Sequence, residues 1–326
     1  MVKITSTCDV TFTPVLIICD QKTLIAIVVM PPFIKQARLI FVTIILHTMI
    51  AKKITVFTIA FFCLVLAQAQ SLIVGTFNLR FDNPRDTGNL WVNRAPIVAS
   101  LIRFHDFDVL GTQEGLRNQL DDIKTALPDY TYYGMGRDDG QAKGEHSAIF
   151  YKTGKFNVLK TGSFWLSATP EKPGPGWDAH LNRICSWVQL QDKKSKKKFY
   201  FFNVHYDHQG VQARRESSLL ILKKIKEIAG NDAAVFTGDL NGGEDSEWYQ
   251  SLSNSGWLKD TYKQVAHPYA NNGSFNSFGH NLQSTEIIDH IFITAPFTAE
   301  KWGILTDSYH GKYPSDHYPV LAVIKM

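Results

Sequence analysis

Residues 71–326 predict a layered α/β domain, a mixed sheet system with helices on the outside. Three observations carry that prediction. Short, apolar, β-favouring runs recur along the stretch, the plainest being Ala234-Val235-Phe236-Thr237 running into Gly238 and Asp239. Some of these runs are joined by amphipathic stretches at helical spacing and others by turns alone, so hairpins and helical crossovers alternate. No repeat of fixed period and no linker interrupts the stretch, so it reads as one domain.

The elements follow in order. A strand over 71–77 ends at Asn78-Leu79-Arg80, and after a polar loop the spacing of Ile97, Val98, Leu101 and Phe104 predicts a helix over 93–105. A strand over 109–112 runs into Gln113-Glu114, and an amphipathic helix over 116–127 stops before Pro128. Strands over 130–133 and 146–151 flank a glycine-rich loop. Residues 153–182, with four prolines and glycines close together at 173–176, read as irregular. A strand over 183–191, a lysine-rich turn and a strand over 198–204 lead to His205-Tyr206-Asp207-His208. A long helix over 211–229 precedes the strand at 234. A short helix over 246–253, a strand over 286–293 and a closing strand over 318–324 complete the chain.

Charge and cysteine narrow the function classes. Six of the 34 Lys/Arg and two of the 30 Asp/Glu fall within residues 1–69, which leaves 28 of each sign beyond them. A protein that grips long nucleic acid carries a basic excess on its binding face, and this stretch has none. Cys185 is its lone cysteine, so it contains no internal disulfide and no multi-thiolate metal site. Residues 49–69 have the order of a signal peptide: Lys52-Lys53, an apolar run from Ile54 to Leu66, then Ala67-Gln68-Ala69. That apolar run is short for a membrane span. We therefore read Met49 as the start and residues 1–48 as an upstream extension. Membrane segments at 14–30 and 39–50 are the alternative, a poor one because Asp20, Gln21 and Lys22 interrupt the first. The expected product is exported, periplasmic or secreted, free of the membrane once the leader is cleaved, and monomeric.

Polar residues of catalytic type recur at or beside the ends of apolar strands: Asn78, Glu114, His205, Asp239 with Asn241, Asp289 and Asp316-His317. Strand ends of a layered α/β fold can converge on one rim. Carboxylates, histidines and amides gathered there suit a hard, oxygen-liking cation. Asp239 and Asn241 alternate to the same side of an extended chain, which suits binding a water beside a phosphate or metal; an Asx turn closing the strand is the plainer alternative.

This order of blocks resembles the endonuclease/exonuclease/phosphatase superfamily, the deoxyribonuclease-I-like fold. The blocks are Phe77-Asn78-Leu79-Arg80, Gln113-Glu114, Asn203-Val204-His205, Gly238-Asp239-Leu240-Asn241, Ile288-Asp289-His290-Ile291-Phe292 and Ser315-Asp316-His317-Tyr318-Pro319-Val320. The resemblance covers 71–326. It implies a four-layer α/β sandwich, two central mixed β-sheets packed face to face with helices on both outer faces. It implies Mg²⁺, with Mn²⁺ as the alternative, held mainly by Glu114 with Asn78 and Asp316. Asp239 would activate the attacking water and Asn241 would bind that water or a phosphate oxygen. His317, held by Asp289, would contact the phosphate, and His205 would stabilise its developing charge.

Several residues carry a second reading. Asn78 is also a plausible strand-end turn former. His290 points away from Asp289 on an alternating strand and is read as structural. Asp207 and His208 either support the site from behind or cap the following helix. Arg94 is either a solvated helix arginine or a substrate phosphate contact. Trp165, Trp177, His180 and Arg183 lie in or beside the irregular segment, which forms either a substrate wall or proline-rich surface packing. The expected activity is hydrolysis of a phosphodiester, with a phosphomonoester as the alternative, on a small molecule rather than long nucleic acid. A secreted nuclease and a catalytically silent binding module are the alternatives.

Overall fold

The computed structural model describes residues 16–20, 23–27 and 71–326. The leader expected at 49–69 lies outside the described residues. Strands β1 (Leu16–Asp20) and β2 (Thr23–Ile27) pair antiparallel. Among the described residues no helix is long and apolar enough to cross a membrane.

The rest of the described chain builds two six-stranded sheets. Its elements are β3 (Ser71–Asn78), α1 (Trp91–His105), β4 (Val109–Gly115), α2 (Arg117–Ala126), β5 (Tyr130–Tyr133), β6 (His146–Lys152), β7 (Phe156–Trp165), β8 (Ile184–Asp192) and β9 (Lys198–His205). They continue with α3 (Val211–Ala229), β10 (Ala234–Asp239), α4 (Glu247–Ser253), β11 (Lys259–Asp260), α5 (Thr261–Gln264), β12 (Asp289–Ile293), β13 (Thr298–Ile304) and β14 (Val320–Lys325). One sheet has the order β13-β14-β3-β4-β6-β5 and the other β11-β12-β10-β9-β8-β7. At the middle of each lies one parallel pair, β3 with β4 and β9 with β10. A parallel pair needs a crossover, and α1 and α3 supply it on the outer faces.

Burial follows from this arrangement. Leu72, Val74, Val109 and Val320 of one sheet meet Val188, Phe201, Val235 and Ile291 of the other in a common apolar layer. Phe77, Leu110 and Phe150 turn outward beneath Trp91, Val98, Ile102 and Leu120 of α1 and α2. Phe202 and Phe236 lie beneath Ile221, Ile225 and Leu252 of α3 and α4. Four layers result, as the resemblance implied.

One polar bridge joins the sheets below the rim where the catalytic-type residues gather. Buried Asn203 donates through Nδ2 to the carbonyls of Thr112 (2.8 Å) and Ala148 (2.9 Å). Its Oδ1 accepts from Gln113 Nε2 (2.7 Å) and Thr237 Oγ1 (3.1 Å). The amide is fully satisfied, and those four hydrogen bonds offset the cost of taking it out of water. Gly111 faces it so closely that a Cβ there would lie 2.4 Å from Thr237 Oγ1.

Two expectations need correction. Residues 156–165 of the segment read as irregular form β7, a ten-residue edge strand paired with β8. Its middle residues are exposed on both faces and a register shift interrupts it between Val158 and Lys160, so no apolar alternation marks it. Strand β13 was also unanticipated; it too lies at a sheet edge, with exposed Glu300 and Lys301. The remainder of the proline-rich segment packs against α3, where Asp178 accepts from the N–H groups of Gln212 (3.1 Å) and Ala213 (2.6 Å) at the helix N-terminus.

Candidate active site

The site lies at the rim where β3, β4, β9 and β10 end and where β12 and β14 begin. Register builds half of it. Asp239, the last residue of β10, stands opposite His205 on β9 and opposite Asp289 on β12, so three functional side chains share one row across three strands. Across the cleft Asn78 stands opposite Gln113, and β4 then breaks register between Thr112 and Gly115. Glu114 sits inside that bulge at φ 62°, a left-handed conformation that re-aims its carboxylate. Asn241 (φ 47°) and Arg80 (φ 54°) share that uncommon backbone region, which asparagine enters readily.

Asp239 is the hub. Its Oδ1 accepts from Asn241 N (2.8 Å) and its Oδ2 from Asn78 Nδ2 (3.0 Å). His205 Nε2 and His317 Nε2 approach Oδ2 to 3.5 and 3.7 Å. Burial first, and the Asp289 charge second, push the Asp239 carboxyl above the ordinary carboxylate range. His317 Nδ1 pairs with Asp289 Oδ2 at 2.8 Å. Burial alone would lower this imidazole's pKa, but the Asp289 charge and hydrogen bond, with Asp239 and Asp316 behind them, raise it to about 10. At neutral pH His317 is therefore an imidazolium. His205 goes the other way: burial, then Arg183, Arg137, His317 and His208, hold it well below the usual histidine value, so it is neutral.

Two sets of groups compete as a metal cradle. Asp239, Asp289 and His317 each offer a ligand atom within 4.8 Å of the others. His317 Nδ1, however, already serves Asp289 at 2.8 Å, and that carboxylate is in turn committed to the ring. Glu114 and Asp316 form the better set. Burial and the Glu114 charge both raise the Asp316 carboxyl, opposed by His317 and Arg80. A hard divalent cation between two such carboxylates would relieve their repulsion, and oxygen donors fit it. Asn78 joins them only if its amide turns: its oxygen now accepts from Arg80 N (3.0 Å), and its NH₂ bridges Glu114 (3.1 Å) and Asp239.

The cleft has a volume of about 380 Å³, and its walls include Phe81, Glu145, Leu181, Arg183, His208 and Phe275. A larger cavity of about 640 Å³ lies at the far end of β6, but Lys152 and Lys155 in its wall are already paired to Asp108, and none of the strand-end acids reaches it. Of the residues expected at the site, Glu114, His205, Asp239, Asn241, Asp316, His317 and Arg183 line the cleft, while Asn78 and Asp289 bond directly to those lining it.

Arg94, considered as a phosphate contact, is absent from the cleft wall. Its guanidinium is fully buried and spent on the carbonyls of Leu79, Arg80, Asn89 and Pro314 at 2.7 to 3.0 Å. Trp177 lies outside the cleft wall, in the segment that caps α3. His290 is structural, with Nε2 at 3.3 Å from Gly242 O and Nδ1 at 3.4 Å from Asp260. Asp207 does both things considered for it: Oδ1 accepts from Gln209 N and Gly210 N ahead of α3, while Oδ2 holds Arg183 at 3.4 Å.

Sequence reasoning missed Glu145 and Arg137. Glu145 bonds Arg137 Nη1 (2.5 Å) and lies 3.9 Å from both Arg183 Nη1 and His205 Nδ1. Burial and the Glu114 charge raise its carboxyl above the ordinary range, against Arg137 and Arg183. Both residues sit in the glycine-rich loop region before β6, where nothing in local pattern marks them.

A model of the Endonuclease/Exonuclease/phosphatase family matches residues 75–317. The chain belongs to this family. Two Bacteroides thetaiotaomicron structures agree with that. One, described as an endonuclease/exonuclease/phosphatase family protein, is 45% identical, covers 79% of this chain and 98% of its own, and superposes with a TM-score of 0.77. The other, a mannosyl-6-phosphatase, is 44% identical over 78% of this chain and all of its own, again with a TM-score of 0.77. A protein of Acanthamoeba polyphaga mimivirus is 27% identical over 72% of this chain and 92% of its own. Members of the family are metal-dependent hydrolases of phosphoesters, and the rim described above has the groups such chemistry uses.

Proposed function

We propose that this protein is an exported, Mg²⁺-dependent phosphoesterase that hydrolyses the phosphate ester of a small hydroxylated compound, in the first instance a sugar phosphate. The observation that carries this reading is the compact, charged cleft, about 380 Å³, with Asp239, His317 and Glu114 facing one another across it. A cleft of that size suits a small ester, and the zero net charge of residues 70–326 speaks against a polyanionic polymer. The naming of a 44% identical structure as a mannosyl-6-phosphatase supports a sugar phosphate as that ester.

Glu114 and Asp316 would hold the Mg²⁺, which when bound polarises a phosphoryl oxygen and neutralises developing charge. Asp239 acts on the attacking water. Its elevated pKa makes it a better proton acceptor than an ordinary carboxylate, and Asn241 N fixes its orientation at 2.8 Å. The His317 imidazolium, locked by Asp289, presents a charged Nε2–H donor beside Asp239. Neutral His205 supplies a donor from the other side of the same carboxylate. Together they bind the equatorial oxygens of a phosphoryl group undergoing in-line displacement.

The test is a panel assayed with Mg²⁺: hexose 6-phosphates, a chromogenic monoester and diester, and single- and double-stranded nucleic acid. Hydrolysis of sugar monoesters is expected, with a fall of about 10³-fold or more in kcat for Asp239→Ala. Equal activity in that variant would sink the mechanism, and preferential cleavage of the diester or of nucleic acid would replace the substrate. Export is tested separately by expressing the chain from Met49; loss of export relative to the longer form would refute the assigned start.

A further inference from the structure

Behind His205 lies a guanidinium that makes an unusual set of contacts. Arg183 is buried, and its Nη1 stands 3.0 Å from His205 Nδ1 while its Nη2 stands 3.1 Å from His208 Nδ1. Asp207 holds its Nε at 3.4 Å and Glu145 flanks Nη1 at 3.9 Å. Arginine has donors only and does not lose its proton in proteins. Each Nδ1 it touches must therefore be an acceptor, and a neutral imidazole with a bare Nδ1 carries its hydrogen on Nε2.

We propose that Arg183 is a positioning residue: one buried guanidinium locks both His205 and His208 in the Nε2–H tautomer, so that both rings present donors to the phosphate ester. One contact at His205 Nε2 opposes this and yields to the guanidinium, because the Asn241 amide, unlike Arg183 Nη1, has a second acceptor within reach. Asn241 Nδ2 lies 3.1 Å away but also donates to Tyr206 O (3.0 Å). Were both Nη1 and Nδ2 donors to the one ring, it would have to be an imidazolate. The proton consequently sits on Nε2, where Asp239 Oδ2 at 3.5 Å is its acceptor until a phosphoryl oxygen takes over. At His208 the Gln209 carboxamide, 3.2 Å from Nε2, offers its oxygen after a half-turn of the amide. Burial and the neighbouring cations Arg183 and Arg137 keep His205 neutral, which the lock requires. Asp207 and Glu145 in turn flank the guanidinium and favour its place against the two rings.

This inference rests on the phosphoesterase reading for its consequence but not for its geometry, and the experiment separates the two. Imidazole ¹⁵N chemical shifts of the full chain, without substrate, report the tautomer of each ring directly. His205 and His208 are expected as neutral Nε2–H forms at pH 7, and in Arg183→Gln both are expected to become tautomer mixtures. On the hexose phosphate and chromogenic panel, Arg183→Gln is expected to lower kcat about 10–100-fold, the cost typical of losing a supporting partner of a functional histidine, with KM changed much less. Arg183→Lys retains the charge but not the two-pronged geometry, so it should fail to restore kcat. An Nδ1–H signal for His205 in the wild-type protein would overturn the proposal whatever the activity. So would a rise in KM with kcat unchanged, which would mark Arg183 as a substrate contact. Wild-type spectra showing the Nε2–H form beside no turnover of any ester would leave the lock standing and sink the phosphoesterase reading.

Discussion

Replacing Asp289 by Asn tests the charge pairing at the centre of the site. The His317 Nδ1 to Asp289 Oδ2 contact is 2.8 Å between side chains that are 6% and 0% exposed. Burial by itself would lower the His317 pKa, yet the Asp289 charge and hydrogen bond, with Asp239 and Asp316, raise it to about 10, above the ordinary 6.5. A folded-state pKa raised above the unfolded value contributes stability that is complete below about pH 6.5 and disappears as the pH climbs through about 10. Breaking a buried ion pair costs about 3–5 kcal/mol. Asn still accepts a hydrogen bond from Nδ1–H, and Asp239 and Asp316 still face the ring, so about 2–3 kcal/mol is expected here. In a domain of this size that lowers Tm by about 4–12 °C. The assay is urea unfolding of wild type and Asp289→Asn, with chelator present, at pH 6 and pH 10.5. The deficit should be full at pH 6 and fall below about 1 kcal/mol at pH 10.5. An equal deficit at both values, or none at pH 6, would refute the assignment of His317 as a buried imidazolium.

Three further outcomes are expected. Glu114→Gln should raise the Mg²⁺ concentration for half-maximal activity about tenfold or more and abolish any increase of Tm on adding Mg²⁺, read by titration and by thermal scans. Arg94→Met strands four carbonyls, two of them buried (Leu79 and Pro314) and two half-buried (Arg80 and Asn89), and should cost about 3–5 kcal/mol in urea unfolding, with KM of the folded enzyme changed by less than about twofold. Gly111→Ala forces a methyl group against Thr237 Oγ1 and Asn203 Oδ1 and should cost about 1–3 kcal/mol, measured in the same way.

Much of the site was legible before the fold was known because its residues terminate strands whose apolar runs are themselves legible. Asn78, Glu114, His205 and Asp239 each follow a buried strand of one of the two parallel pairs, and parallel strands put like ends on one rim. The elements that escaped notice lack that signature. Strand β7 is an edge strand exposed on both faces, and β13 also lies at an edge, so neither needs an apolar run. Arg94 was misjudged for a related reason: a helix position predicts a solvated arginine, and only the closure of α1 over Leu79, Arg80 and Pro314 turns its guanidinium into a buried anchor.

The sequence by itself determined the layered class of the fold, the family, and the acids, amides and histidines of the rim, because local periodicity and residue chemistry are written along the chain. The tertiary structure decided their charge states and division of labour. His205 and His317 are the same letter, yet one is kept neutral and the other charged, while Asp239 is a carboxyl made more basic by burial and Asp289. Desolvation and the sign of the nearest charge set those differences, and both depend on groups far away in sequence: Arg183 and Arg137 beside one ring, Asp289 behind the other.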